Sequence, residues 1–443
     1  MIKKATIVGS GLTGPLLSIL LAKKYDIDVT MYERNPDTRG TESYSGRSIN
    51  LALSERGINA LKEAEVYNSD FEKILIPMHG RMIHDINGKQ SFQAYGNKKN
   101  HFINSVSRSE INKILLDKAE STNRVLINFS SKCNDINLNE NYLSINNQKK
   151  ELSGPVFGAD GYKSIIAKKV AHNLSHHDIE HCCKELTIEP KNNEFQIDPN
   201  ALHIWPRRDM MLIALPNNDK TFTCTLFMKE LGADSCETLK TKKEKFDFFD
   251  KNFPDIIDLI PNLDKYFLNN PTGKLISVNA DNWFYKDKAC IIGDAAHAIV
   301  PFYGQGMNAS FEDCVKICEI INEQASWESI FTTFNNKRKK DADAISELAL
   351  RNYHIMKNDV LEDKYIKKHS LGFKLYNMFP DYFIPEYIMV SFTNIPYNTI
   401  KKRAYIQDVI LDKVLSYGEI PEKEILGEII KSNLIKLNDE ENS

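Results

Sequence analysis

The start of the chain alternates between two hydrophobic periodicities. Residues 5–8 form a short apolar run, a glycine-containing stretch follows, and residues 16–21 carry apolar side chains at helical spacing. Residues 28–33 then return to a strand-like pattern. A period that changes from two to about 3.6 and back predicts strand, helix and strand. This βαβ opening implies a parallel sheet with a right-handed crossover.

The middle of the chain has a different pattern. Residues 136–138 and 143–145 alternate on either side of a polar turn, which predicts a half-exposed hairpin. Three further strand-like runs follow at residues 201–207, 210–217 and 221–228. Short strands separated by turn residues such as Asn217 predict a mostly antiparallel sheet, inserted into the parallel fold.

The last part of the chain is predicted to be helical from about residue 312. Residues 342–356 contain few helix breakers, whereas Pro380, Pro385 and Pro396 interrupt an aromatic-rich stretch. The predicted fold class is α/β, a Rossmann-type domain with an inserted, mostly antiparallel β-sheet domain and a C-terminal helical region.

Composition narrows the class of protein. The 443 residues include 57 Lys+Arg and 60 Asp+Glu, and this net charge of −3 disfavours a non-specific nucleic-acid binder. No run approaches the roughly 20 apolar residues that span a bilayer, and the N-terminal residues do not resemble a signal peptide. The eight cysteines include no CxxC pair, so we expect reduced thiols, a cytoplasmic protein and no metal site.

The first chemical motif is a glycine-rich turn between the first strand and helix. Gly9, Gly11 and Gly14 form a GxGxxG pattern, which lets backbone N–H groups approach a pyrophosphate at a helix N-terminus. Glu33 follows at the end of the second strand, where a carboxylate can accept hydrogen bonds from ribose hydroxyls. The combination predicts an adenine dinucleotide, and Glu33 favours FAD or NAD over NADP at this site.

Two later segments complete a flavin-binding pattern. Asp160 follows an apolar run and is flanked by glycines, and Asp294 ends a second apolar run, where its carboxylate can meet a ribityl hydroxyl. Downstream, backbone amides at a glycine-rich helix start can approach the flavin ring, and the positive end of the helix favours an anionic reduced flavin. The residues at this helix start are Gly304, Gly306, Met307 and Asn308.

Together these motifs resemble the single-component flavoprotein aromatic hydroxylases of the para-hydroxybenzoate hydroxylase type. Further segments are similar to those characteristic of the kynurenine 3-monooxygenase family, and the resemblance covers about residues 3 to 400. These segments are residues 46–57 (GRSINLALSERG), 80–84 (GRMIH), 107–110 (SRSE), 184–188 (KELTI), 203–207 (HIWPR), 293–314 and 385–390 (PEYIMV).

The resemblance implies a function and a set of site residues. It implies FAD held non-covalently, NADPH and O2 as co-substrates, and hydroxylation of L-kynurenine ortho to its aromatic amine, with no side-chain base required. Arg81 and Tyr95 would grip the substrate carboxylate, Asn352 and Tyr387 would complete the pocket, and Arg108 would contact the flavin cofactor. The implied division is an FAD-binding domain at residues 1–75, 101–175 and 266–330, a substrate domain at 76–100 and 176–265, and a helical region at 331–443.

The sequence departs from the family pattern and leaves alternatives open. Tyr303 stands where the family usually has Phe, Ser310 replaces Gly, and Cys182-Cys183 replaces Gly-Tyr. A flavin halogenase is disfavoured because the Trp-x-Trp-x-Ile-Pro segment is absent. A sibling hydroxylase acting on a modified kynurenine or an anthranilate-like ring, a non-catalytic flavin-binding module and a homodimeric assembly all stay open.

Overall fold

The computed structural model describes residues 3–39, 50–357 and 359–437. The first part of the family-like segment at residues 46–57, namely residues 46–49, lies outside the described residues. Two sheets organise the fold, and we call them the six-stranded sheet and the seven-stranded sheet.

The six-stranded sheet contains the predicted βαβ unit. Its pairs are parallel except for the pair at one edge, which is antiparallel. The prediction of a parallel sheet is thus confirmed. In spatial order its strands are Phe284–Tyr285, Ala289–Ile291, Val156–Gly158, Lys4–Val8, Asp28–Tyr32 and Val125–Asn128.

The seven-stranded sheet is antiparallel apart from one parallel pair, as the alternating middle segment predicted. The parallel pair joins Leu202–Arg207 to Gly80–His84 and brings two distant parts of the sequence side by side. In spatial order the strands are Thr272–Ala280, Leu174–Ile188, Phe222–Lys229, Met210–Pro216, Leu202–Arg207, Gly80–His84 and Gln90–Ala94.

Two small sheets complete the strand structure. One contains the predicted hairpin and orders Gln148–Glu151, Tyr142–Ile145 and Cys133–Asn137. The other orders Asn50–Leu53, Ile103–Ser107 and Ile76–Met78.

Helices cover both sheets and form the C-terminal region. Thr13–Tyr25 is buried along most of its length because it packs against the six-stranded sheet and two other helices. It ends where Asp26 adopts a left-handed backbone with φ 54°. The other helices are Glu55–Glu63, Ser69–Glu72, Arg108–Ser121, Ala167–Val170, Lys242–Asn252, Pro254–Ile257, Leu263–Asn269, Asp294–His297, Gly306–Glu323, Trp327–Lys357, Asp363–Met378, Glu386–Phe392, Tyr397–Ser416 and Lys423–Asn433, with 3-10 turns at Pro301–Tyr303 and Asp359–Leu361.

Three hydrophobic clusters pack against the two large sheets. One lies around the six-stranded sheet, and a second packs the seven-stranded sheet against helices between residues 242 and 269. A third joins the other face of the seven-stranded sheet to Trp327–Lys357 and the C-terminal helices. Within the described ranges, no helix is long and apolar enough to cross a bilayer.

One expectation about the cysteines is wrong. Cys182 and Cys236, which are 54 positions apart, form a disulfide, so not every cysteine is a reduced thiol. The bond attaches the segment after Phe222–Lys229 to the neighbouring strand Leu174–Ile188. A pair this distant in sequence has no local spacing signal, so the cysteine pattern alone does not predict the bond.

Candidate flavin and substrate site

One cavity of about 1000 Å³ brings together residues from both large sheets. Most of the predicted site residues line it, although they come from segments nearly 380 positions apart. Those lining residues are Gly9, Gly11, Glu33, Arg81, Tyr95, Arg108, Asp160, Asp294, Gly304, Gly306, Met307 and Tyr387.

The glycine-rich turn leaves space beside its middle glycine. A Cβ atom on Gly9 or Gly14 would collide with backbone atoms of Ala159 and Gly9 respectively, and Gly9 has a left-handed φ of 101°. A Cβ on Gly11 would instead point into open space with no atom within 4 Å. The helix that starts at Thr13 has no side-chain cap, so its first N–H groups stay available to an anion. The turn fits a pyrophosphate.

Glu33 lies where the second strand ends and holds the turn in place. Its carboxylate accepts hydrogen bonds from the Ser10 backbone N–H at 2.8 Å and from the Asn35 backbone N–H at 2.9 Å. The side chain also lines the cavity and is partly exposed there. The Ser10 hydroxyl and the Asn35 side-chain amide donate to the same carboxylate at 3.1 and 2.8 Å, and these bonds fill its roughly four acceptor positions. A ribose hydroxyl would therefore take the place of one of the two side-chain donors.

Three further residues that were predicted to contact the flavin cofactor also line the cavity. Asp160 accepts a hydrogen bond from the Ile165 backbone N–H at 2.7 Å, and its burial raises its pKa while a hydrogen bond from Ser164 opposes that shift. Asp294 and Arg108 have exposed side chains, each at the first residue of a helix facing the cavity.

The second glycine-rich turn presents a helix start to the cavity. Gly304 has a left-handed φ of 65°, and the helix Gly306–Glu323 begins without a side-chain cap. The Asn308 side chain does not line the cavity: it donates to the carbonyls of Gly304 and Ala52, both at 2.8 Å. Asn308 therefore fixes the turn, and only its backbone N–H could face a flavin.

The substrate-side residues surround one buried guanidinium. Arg81 is 6% exposed, and its Cζ atom lies 4.6 Å from the Tyr387 ring centre and 5.9 Å from the Tyr95 ring centre. The two tyrosine rings stack at 4.9 Å. Burial raises the pKa of both phenols, so these rings are neutral at physiological pH. The Arg81 Nε atom is buried and has no hydrogen-bond partner among the described residues.

A second cavity of about 850 Å³ adjoins the first at these residues. Arg81, Tyr95, Tyr303 and Tyr387 line both cavities, whereas Asn352 lines only the second. The Asn352 side chain donates to the Phe302 carbonyl at 2.7 Å. We call the space lined by the four shared residues, where the two cavities adjoin, the aromatic chamber.

The comparisons with known proteins agree with this geometry. Residues 3–349 match the family model described as FAD binding domain. A protein of Cytophaga hutchinsonii, described as kynurenine 3-monooxygenase, is 40% identical and covers 97% of this chain and 98% of its own length. The chain belongs to the kynurenine 3-monooxygenase family. Relatives with the same description from Myxococcus xanthus and Dictyostelium discoideum are 38% and 36% identical, and cover 97% and 98% of this chain and 95% and 98% of their own.

Solved structures of other proteins share the fold of this kynurenine 3-monooxygenase family member. 2-Methyl-3-hydroxypyridine-5-carboxylic acid oxygenase has a TM-score of 0.67 at 17% identity, covering 82% of this chain and 95% of its own. CtdE, solved in complex with FAD and substrate 4, has a TM-score of 0.66 at 15% identity, covering 93% and 99%. At these identities the likeness shows the shared fold alone.

A buried charged network beneath the flavin turns was missed by the sequence analysis of this family member. Arg338 lies 3.0 Å from Glu312 and 2.9 Å from Asp313, and Glu312 also pairs with Arg56 at 2.5 Å. Although burial opposes ionisation of Glu312 and Asp313, the neighbouring cations lower the pKa of both carboxyls. Two adjacent acidic residues between the apolar Phe311 and Cys314 are the signal that could have revealed the network.

This network supports the flavin side of the cavity directly. The Gly293 backbone N–H donates to Asp313 at 3.2 Å, and His297 hydrogen-bonds the same carboxylate. Gly293 immediately precedes Asp294, so the network fixes the turn that presents Asp294. The bond to Asp313 gives His297 a structural role in this turn.

Proposed function

We propose that the protein is an FAD-dependent monooxygenase that hydroxylates L-kynurenine ortho to its aromatic amine, with NADPH as reductant and O2 as the oxygen source. The family assignment supports the reaction class. The observation that carries the substrate assignment is Arg81, a buried guanidinium with an unsatisfied Nε in an aromatic chamber that opens onto the flavin cavity.

The residues of the cavity fit FAD along its length. Gly9, Gly11 and the uncapped helix start would hold the pyrophosphate, and Glu33 would accept the ribose hydroxyls. Asp294 and the backbone amides after Gly304 would hold the ribityl chain and the ring. Bound FAD, once reduced by NADPH, would activate O2, and O2 would provide the oxygen atom for the hydroxylation.

The protein's own share is orientation and exclusion of water. A carboxylate can accept two parallel hydrogen bonds from a guanidinium, so Arg81 would fix the amino-acid end of kynurenine. Tyr95 and Tyr387 would pack around that end, which directs the aryl end toward the flavin turn. The arylamine already activates the adjacent ring carbon, so no side-chain base is required and the chemistry depends on positioning.

A substrate panel tests the proposal. The purified protein is incubated with FAD, NADPH and, separately, L-kynurenine, decarboxylated kynurenine and anthranilate, with NADPH oxidation followed and each product weighed by mass spectrometry. We expect fast NADPH oxidation and a product that has gained one oxygen only with L-kynurenine. Oxygenation of anthranilate but not of kynurenine would overturn the substrate assignment, and no oxygenation of any arylamine would overturn the activity.

A further inference from the structure

A second charged group faces the chamber that holds Arg81. Glu386 directly precedes Tyr387, and it lines the second cavity together with Arg81. Its Oε1 accepts a hydrogen bond from the Tyr303 hydroxyl at 3.1 Å, and its Oε2 pairs with Arg351 at 2.9 Å. The carboxylate is thus held in one orientation by two partners, while 19% of the side chain is exposed.

The geometry points to Glu386 as the group that recognises the α-ammonium of the amino-acid substrate, with Tyr303 as its positioning residue. This inference rests on the proposed function, because it takes Arg81 as the carboxylate partner. An α-amino acid presents a carboxylate and an ammonium on adjacent atoms. A site with a cation alone would leave the ammonium desolvated and unpaired, which is costly.

Glu386 is the acidic group best placed for this role among the described residues lining the second cavity. The rings of Tyr303 and Tyr387 stack at 5.5 Å. Glu386 bonds to the Tyr303 hydroxyl and Arg81 lies over the Tyr387 ring, so this stacked pair connects the two charged groups. Asp359 and Glu362 are exposed at the rim, and Asp408 already pairs with both Arg351 and Lys368.

The arrangement also explains why a tyrosine is useful at position 303. Burial raises the pKa of the Tyr303 phenol well above its ordinary value, so the hydroxyl keeps its proton and donates to Glu386. Phenylalanine would fill the same space without holding the carboxylate. A carboxylate with two partners still has acceptor positions for an ammonium.

The test compares two substrates that differ only in the amine. L-Kynurenine is measured beside its des-amino analogue, which keeps the ring, ketone and carboxylate. In Glu386→Gln we expect kcat/KM for kynurenine to fall roughly 10- to 100-fold, because a charged hydrogen bond is lost, while the analogue changes less than about threefold. Equilibrium dialysis of each compound against the oxidised holoprotein should show the same split in Kd.

Two further variants separate recognition from folding. Tyr303→Phe should reduce kcat/KM for kynurenine by about 3- to 10-fold, again sparing the analogue, since the carboxylate is loosened but retained. Glu362→Gln, an acid at the rim of the same cavity, should leave both substrates unchanged. Flavin absorbance and thermal unfolding check that each variant is folded. If Glu386→Gln does not fold, the comparison of the two substrates with Tyr303→Phe tests the inference.

The outcomes distinguish this inference from the proposed function. Equal losses on both substrates in Glu386→Gln or Tyr303→Phe would make the pair merely structural and overturn the inference. A wild type that prefers the des-amino analogue would overturn it as well. Turnover of neither compound by the wild type would overturn the proposed function, and the inference with it.

Discussion

At the scale of single residues, Gly11 is the glycine of the first turn at which the folded chain leaves room for a side chain. Its backbone lies outside the left-handed region, and a Cβ there would meet no atom within 4 Å. A larger side chain is therefore compatible with the folded chain itself, and what it would obstruct is the space expected to hold the FAD pyrophosphate.

We predict that Gly11→Val folds but loses FAD. The variant should unfold within about 0.5 kcal/mol of the wild-type apoprotein, while its flavin content after purification falls at least roughly tenfold. Gly14→Val is the contrasting variant: its Cβ would strike the Gly9 carbonyl, so it should lose stability as well as flavin. A folded Gly11→Val protein with full flavin absorbance would show that the pyrophosphate lies elsewhere.

The sequence predicted which residues line the cavity better than it predicted the role of each residue there. Gly11 and Glu33 are recognised by a local pattern, and both line the cavity. Asn352 was expected to complete the substrate pocket and Asn308 to belong to a helix start whose backbone amides face the flavin; the side chains of both bond to nearby carbonyls. An asparagine that contacts a ligand and one that fixes a turn have the same sequence signature, so their direct roles stay predictions.

At the scale of elements, the helix Gly306–Glu323 links the flavin turn to the interior. Its first turn faces the cavity, and its middle carries Glu312 and Asp313 into contact with Arg338. Because all three side chains are buried, removal of one charge leaves the others without compensation.

We predict that Arg338→Met destabilises the protein by about 3–5 kcal/mol, measured by urea unfolding. Lys337→Met is the matched control: Lys337 pairs with Glu323 at the exposed surface, so its loss should change stability by less than about 1 kcal/mol. The lowered pKa values of Glu312 and Asp313 stabilise the fold above their unfolded values, and this contribution is lost as pH falls through the folded values.

The wild type should therefore lose stability on acidification below about pH 4.5, the ordinary pKa of a glutamate, and Arg338→Met should lose less in that window. Parallel acid-unfolding curves for wild type and variant would contradict the network's role. So would a loss in Arg338→Met no larger than in Lys337→Met.

Elements with a local signal were predicted well, and those defined by distant pairing were not. The βαβ unit, the hairpin and the three strands after residue 200 follow from periodicity, and the structure confirms them. The helix start predicted from the glycine motif at residues 304–308 is confirmed, because the helix begins at Gly306, earlier than the helical pattern expected from about residue 312. The parallel pairing of Gly80–His84 with Leu202–Arg207 depends on tertiary contacts that no local pattern encodes.

At the scale of the whole molecule, the site exists because two sheets from different parts of the chain face one cavity. The flavin turns come from the six-stranded sheet and its helices, and Arg81 comes from the seven-stranded sheet. The domain limits stay predictions: Thr272–Ala280, which was expected in the FAD-binding domain, pairs in the seven-stranded sheet. The family resemblance assigned residues from both sheets to one site, whereas spacing along the chain could not predict that the two sheets meet there.

We propose that Arg81 clamps the carboxylate of kynurenine beside the flavin cavity. Loss of a buried charge partner costs about 3–5 kcal/mol, and partial access of water to the chamber reduces this to about 2–4 kcal/mol. We therefore predict that Arg81→Ala lowers kcat/KM for kynurenine by roughly 30- to 1000-fold without changing FAD content. Arg81→Lys should recover only part of the lost kcat/KM, because lysine cannot form the two parallel hydrogen bonds.

The most direct measurement is kcat/KM of wild type and Arg81→Ala with kynurenine and with decarboxylated kynurenine, from NADPH oxidation with product mass determined. The account predicts that the wild type discriminates strongly against the decarboxylated compound and that Arg81→Ala loses most of this discrimination. An Arg81→Ala protein that oxygenates kynurenine as efficiently as the wild type would contradict the account.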